Sequence, residues 1–137
     1  MKHRNGFTLI ELLVVIMIIG MLTGIVGPKL MSHLQRSEAT AARAQLDVLD
    51  KALQAYRVDM GRYPSDAEGL RALVQAPAEG GDRWRGPYLN GGLPLDPWGT
   101  PFIYRTGRGG GQDFELLSLG RDRASGGRGD DADITLH

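Results

Sequence analysis

The hydrophobic pattern changes character along the 137-residue chain. From Phe7 to Val26 run twenty residues whose only polar side chains are Thr8, Glu11 and Thr23. At about 1.5 Å per residue, a helix of that length crosses the roughly 30 Å hydrocarbon core of a bilayer. After Lys29 the pattern becomes amphipathic. Leu46, Leu49, Leu53, Tyr56 and Met60 recur at intervals of three and four, with Gln45, Asp47, Asp50 and Lys51 between them, which predicts a helix with one face on a core. Ala39, Ala41, Ala42 and Ala44 favour helix but offer little to bury, so this part is expected to project between membrane and head. From Phe7 to Val58 such a helix would run about 78 Å, far beyond the usual globular length. Gly24, Gly27 and Pro28 mark a place where it is expected to bend or unwind.

Gly61 is the expected stop, and sixteen of the chain's twenty glycines lie from there onward, the composition of a loop-rich head. Ser65 followed by Glu68 is a capping box, with Leu70, Leu73 and Val74 on one face of a short second helix that Pro77 ends. "PFIYR" and "FELLSLG" read as strands joined by the glycine-rich "TGRGGGQD", an antiparallel hairpin expected to cover the apolar stripe. "LPLDPWGTPF" reads as a rigid loop: Pro94, Pro97 and Pro101 fix φ, Gly99 allows the turn and Trp98 contributes a large ring to packing.

Charge and composition mainly exclude. Sixteen Lys and Arg balance sixteen Asp and Glu, so nothing argues for a nucleic-acid partner. Without cysteine there is no disulfide framework, thiolate metal site or cysteine nucleophile. His3, His33 and His137 stand apart in sequence and no phosphate-binding loop follows a strand, so no catalytic constellation presents itself. Lys2 and Arg4, with His3 between them, precede the apolar run, which places the start of the chain on the cytoplasmic side and the rest outside. A cleaved signal peptide would need a small-x-small site, of which Gly24 to Pro28 is a weak version, and an uncleaved signal anchor is the other bland reading. Neither accounts for Glu11, a carboxylate at membrane depth that costs on the order of 3 kcal/mol without a partner.

"GFTLIELLVVIMIIGMLTGIVGPKL" closely resembles the leader and first helix of type IV pilins and pseudopilins. The resemblance implies cleavage by a prepilin peptidase between Gly6 and Phe7 and N-methylation of the new terminus at Phe7. It also implies pairing of the Phe7 ammonium with Glu11 of a neighbouring subunit, and melting near Pro28 in the assembled fibre. Such a desolvated pair adds little net affinity, but leaving one member alone costs several kcal/mol, so it would set register.

"GRYPSDAEGLRAL", "GGLPLDPWGTPFIY" and "ELLSLGRD" extend the resemblance over nearly the whole chain, to the major pseudopilin of type II secretion systems. The implied fold is α+β and pilin-like: a long N-terminal helix, transmembrane in its first half, packed on a small antiparallel sheet head with a C-terminal loop. The expected divisions are a leader at 1–6, a transmembrane and polymerisation helix at 7–27, its periplasmic continuation at 28–60 and a head at 61–137.

The C-terminal loop gathers Asp122, Asp130, Asp131 and Asp133 among glycines, and calcium takes six to eight oxygen ligands from such groups. The alternate-acid pattern of an EF-hand is missing. In the family this loop binds calcium. Matching positions gives the side chains of Asp122 and Asp131 and backbone oxygens of Leu119 and Ala124, with Asp130 and Asp133 as further candidates. One family carboxylate falls on Gly129, and Arg121, Arg123 and Arg128 stand among the acids, so a loop held by Arg–Asp pairs without metal is the competing reading. "RGD" at Arg128 to Asp130 is too short to support adhesion.

The resemblance implies a structural, non-enzymatic subunit polymerised from the bacterial inner membrane into a periplasmic pseudopilus that drives export of folded proteins. Its partners would be itself, the prepilin peptidase, minor pseudopilins and the inner-membrane assembly platform. A type IV pilus subunit is one alternative, although pilin heads commonly carry a C-terminal disulfide loop. A membrane-anchored calcium- or substrate-binding module that never polymerises is the other.

Overall fold

The computed structural model describes residues 6–109 and 112–136. Lys2, His3 and Arg4 of the expected leader, the hairpin tip at Gly110 and Gly111, and His137 lie outside the described residues. The chain forms two compact units, Met1–Arg36 and Ser37–His137, and one helix, α1 (Leu9–Met60), contributes to both.

In the first unit every residue from Leu9 to Val26 is exposed, and none of the most apolar membrane-length stretch is buried by the chain itself. The unwinding expected at Gly24 to Pro28 is not present in the single chain, where α1 continues through Pro28. Proline's φ suits a helix, and what it removes is the N–H that the Gly24 carbonyl would have accepted. Thr23 Oγ1 donates to the Ile19 carbonyl at 2.8 Å, within the helix.

In the second unit the predicted stripe is the core. Leu46, Leu49, Leu53 and Tyr56 are completely buried and Met60 nearly so. Full burial stabilises each of these leucines by roughly 1.5–3 kcal/mol. Gly61 ends α1 in the left-handed region, at φ +76°, and its N–H donates to the Arg57 carbonyl at 2.8 Å. The alanine segment departs from expectation: Ala42 is wholly buried, so this part of α1 is packed into the head rather than projecting from it. Small side chains leave room there for the 95–98 loop, which is bonded to α1 on either side of Ala42. Trp98 Nε1 donates to Glu38 at 3.0 Å and Gln45 Nε2 donates to the Leu95 carbonyl at 3.0 Å.

The Ser65–Glu68 capping box forms, with Ser65 N–H donating to Glu68 Oε2 at 2.8 Å and Glu68 N–H to Ser65 Oγ at 3.3 Å. Beyond it the expected short helix forms as a 3₁₀ segment, Gly69–Leu73, and not as an α-helix. Gly69 sits at φ +57°, and a residue in the left-handed region breaks α-helical propagation after one turn. The segment still buries Ala72 and Leu73. Arg62 holds Glu68 with two hydrogen bonds, at 2.7 and 2.8 Å, and lowers its carboxyl to a pKa of about 2.

The hairpin is β1 (Ile103–Gly109) with β2 (Gln112–Ser118), antiparallel as expected, with both strands reaching further towards the turn than predicted. Thr106 pairs with Phe114 and Gly109 with Gln112, so β1 carries an extra residue, a bulge in which Gly107 takes φ +69°. Asp66 fixes the bulged strand by accepting from Thr106 N–H at 2.6 Å and Thr106 Oγ1 at 2.9 Å. A third strand, β3 (Ile134–Thr135), lies beside β2 and was not predicted. It pairs Leu117 with Thr135 and Ser118 with Ile134, which closes residues 119–133 into a loop between neighbouring antiparallel strands.

Candidate functional site

At the N-terminal end, Gly6, Phe7 and Thr8 precede the helix, and Phe7 is 90% exposed. Thr8 and Glu11 bond reciprocally: Thr8 N–H donates to Glu11 Oε2 and Glu11 N–H to Thr8 Oγ1, each at 3.3 Å. This is a second capping box, and it gives Glu11 a partner within its own chain. The S/T-x-x-E spacing that marks Ser65 and Glu68 also fits Thr8 and Glu11. The carboxylate also lies in the first turn, where the helix dipole favours negative charge. Glu11 itself is exposed, as is the apolar face around it.

The acidic loop is built on backbone bonds. Asp122 Oδ1 accepts from Ala124 N–H at 3.1 Å, Asp131 N–H donates to the Arg128 carbonyl at 3.3 Å, and Asp133 N–H to the Gly126 carbonyl at 3.2 Å. Two glycines allow the close approach. A Cβ at Gly127, φ +82°, would collide with the Asp131 carbonyl and lie 3.2 Å from Asp122 Oδ2, and one at Gly120 would stand 2.7 Å from the Ala132 carbonyl. The Asp122 carboxylate and the Asp131 carbonyl therefore border one small space.

Among the described residues no group of three or more His, Cys, Asp or Glu side chains converges on a point. A cation here would rely on backbone oxygens together with one or two carboxylates, and hard oxygen donors of that kind are what calcium takes. Asp133 Oδ2 accepts from Gly126 N–H at 3.0 Å, while its Oδ1 is buried with no hydrogen-bond partner. That orphaned acceptor fits a cation nearby. Asp131 Oδ1 instead lies 3.7 Å from Arg121 Nε, a half-exposed ion pair of the metal-free kind. Asp130 is exposed, Leu119 lies just before the Gly120 turn, and Gly129, at φ +63°, opens the short 3₁₀ segment Gly129–Asp131.

The "LPLDPWGTPF" loop, expected to serve packing, is organised by a buried carboxylate that the packing reading does not single out. Asp96, 4% exposed, accepts from Trp98 N–H at 3.1 Å, Thr100 N–H at 2.7 Å and Ser118 Oγ at 2.7 Å. An aspartate two and four residues before backbone N–H groups in a Pro- and Gly-rich turn is the readable signal.

The family model of type II secretion system (T2SS) protein G matches residues 29–137, and that of the prokaryotic N-terminal methylation motif matches residues 1–27. The chain belongs to the type II secretion protein G family. The type II secretion system core protein G of Pseudomonas aeruginosa is 38% identical over 135 residues, covering 97% of this chain and 94% of that protein. The core protein G of Vibrio cholerae serotype O1 is 36% identical, covering 98% of this chain and 92% of its own length. The crystal structure of the major pseudopilin from the type 2 secretion system of enterohaemorrhagic Escherichia coli superposes with a TM-score of 0.64 at 31% identity. That match covers 79% of this chain and 93% of the other. Membership of the protein G family selects the type II secretion pseudopilin over the type IV pilus subunit. It also agrees with the α+β expectation of a long helix and a small antiparallel sheet. The methylation motif and the exposed apolar helix together mean a membrane-anchored pseudopilin that enters prepilin processing.

Proposed function

We propose that this protein G chain is the repeating subunit of a periplasmic pseudopilus that grows from the inner membrane and drives export of folded proteins. A prepilin peptidase cuts between Gly6 and Phe7 and methylates Phe7. The leader stays cytoplasmic, the first part of α1 spans the membrane and the head is periplasmic. The new ammonium of Phe7 then pairs with Glu11 of a neighbouring copy. Minor pseudopilins and the assembly platform are the further partners, and the acidic loop holds calcium through Asp122, the Asp131 region and Asp133.

The observation that carries this reading is the first unit itself: an unbroken apolar helix, uncovered on all sides, with one carboxylate at its start. A lipid bilayer covers the apolar surface but leaves a carboxylate at depth in need of a cationic partner, and a second copy supplies it. The Glu11→Ala variant, coexpressed with a prepilin peptidase, tests it. The expected product has lost its first six residues, carries one methyl group by mass, sits in the membrane and forms no fibre. Intact fibres from this variant would overturn the pairing, and a full-length mass for the parent would overturn the processing.

A further inference from the structure

We propose that the Asp96–Thr100 turn is a relay tying the fold of the acidic loop to the α1 face at Glu38, with Trp98 as the connecting side chain and Arg123 as the positioning residue on the loop side. The path is made of direct bonds. On the helix side, the Trp98 indole N–H donates to Glu38 Oε2 at 3.0 Å, and Gln45 Nε2 holds the Leu95 carbonyl. Inside the turn, Asp96 N–H donates to the Thr100 carbonyl at 2.9 Å, Gly99 N–H to the Asp96 carbonyl at 2.9 Å, and the Asp96 carboxylate takes the Trp98 and Thr100 amides. The turn therefore moves as a piece.

On the loop side two contacts reach it. Arg123 Nη2 donates to the Trp98 carbonyl at 2.7 Å, and Gly120 N–H donates at 3.3 Å to Ser118 Oγ, which itself donates to Asp96 Oδ2. Arg123 is the one described non-glycine residue in the left-handed region, at φ +57°. A bulky residue holds that backbone only where its surroundings demand it, so the contact with Trp98 exists only while the loop is folded back. When the loop opens, the Trp98 carbonyl loses its cation and the hydroxyl of Ser118 loses its amide. The indole then has less to hold it against Glu38. The relay depends on the loop's conformation and not on what stabilises it, so it stands whether or not a metal binds.

Trp84 and Trp98 are the two tryptophans, so Trp84→Phe in the full-length chain, in detergent micelles, leaves Trp98 as the only indole reporter. In that background Arg123→Gly removes the side chain, and glycine takes the left-handed backbone without strain. The expected result is a red-shifted Trp98 emission and stronger acrylamide quenching, with helicity by circular dichroism unchanged. Arg128→Ala, the same charge loss in the same loop, should leave the emission in place, and Arg123→Lys should recover part of it. In a chain that keeps both tryptophans, hydrogen exchange at the Trp98 indole N–H should speed up several-fold in Arg123→Gly. Glu38→Ala combined with Arg123→Gly should lower the melting temperature by less than the sum of the two single changes. Unchanged Trp98 emission and indole exchange in Arg123→Gly, an equal response to Arg128→Ala, or strict additivity with Glu38→Ala would each overturn the relay.

Discussion

Asp96 shows how much one side chain can organise when it is desolvated. Three donors converge on its carboxylate and its exposure is 4%. Asp96→Ala leaves two backbone amides and a buried hydroxyl without acceptors, and the expected cost is on the order of 3 kcal/mol. Asp96→Asn, which keeps an oxygen for the amides, should lose much less, and urea unfolding of the two variants compares them. Glu68 is a charged counterpart. Its folded pKa of about 2 lies below the ordinary 4.5, chiefly because Arg62 hydrogen-bonds the ionised form, helped by the Ser65 amide. A lowered carboxylate stabilises fully above the unfolded value and loses that contribution as pH falls through the folded one. The melting-temperature gap between the parent and Glu68→Gln should therefore be widest above about pH 4.5 and close towards about pH 2.

The elements were legible in the sequence where periodicity or turn chemistry carried them. The stripe from Leu46 to Met60 and the stop at Gly61 follow from spacing and from glycine's backbone freedom, and both strands of the hairpin follow from their composition. The short helix after Ser65 was legible, but not its 3₁₀ form, because a glycine at 69 is tolerated within an α-helix and only its φ of +57° decides against one. β3 was invisible: two residues carry no period, and their strand character comes from β2 beside them. The acidic loop was legible in composition, but its closure by β3 and by the glycines was not. Gly127→Ala should place a methyl group against the Asp131 carbonyl and cost well over the roughly 1–2 kcal/mol expected of Gly126→Ala, which has open space and only the left-handed penalty. Thermal unfolding of the two variants side by side reads the difference, and equal losses would mean that the loop does not close on Gly127.

At the scale of the molecule, the family was legible because the first segment joins an apolar span to a carboxylate at a specific spacing. The Thr8 partner of that carboxylate was legible too, in its T-x-x-E spacing, but a charge at membrane depth points first to a neighbouring chain. Whether the loop acts on the whole molecule through calcium is read by the full-length chain in micelles. Millimolar calcium should raise its melting temperature, a chelator should reverse the rise and Asp122→Ala should abolish it. No rise in the parent would leave the loop to its Arg–Asp pairs. The Thr8–Glu11 box also shapes the chain where a prepilin peptidase is proposed to cut. With Thr8 as the cap just before Leu9, Gly6 and Phe7 lie outside the helix. Cleavage concentrates in exposed chain free of regular structure. The box thus acts as punctuation, leaving the proposed cleavage point between Gly6 and Phe7 as unwound chain beside the first turn of the helix.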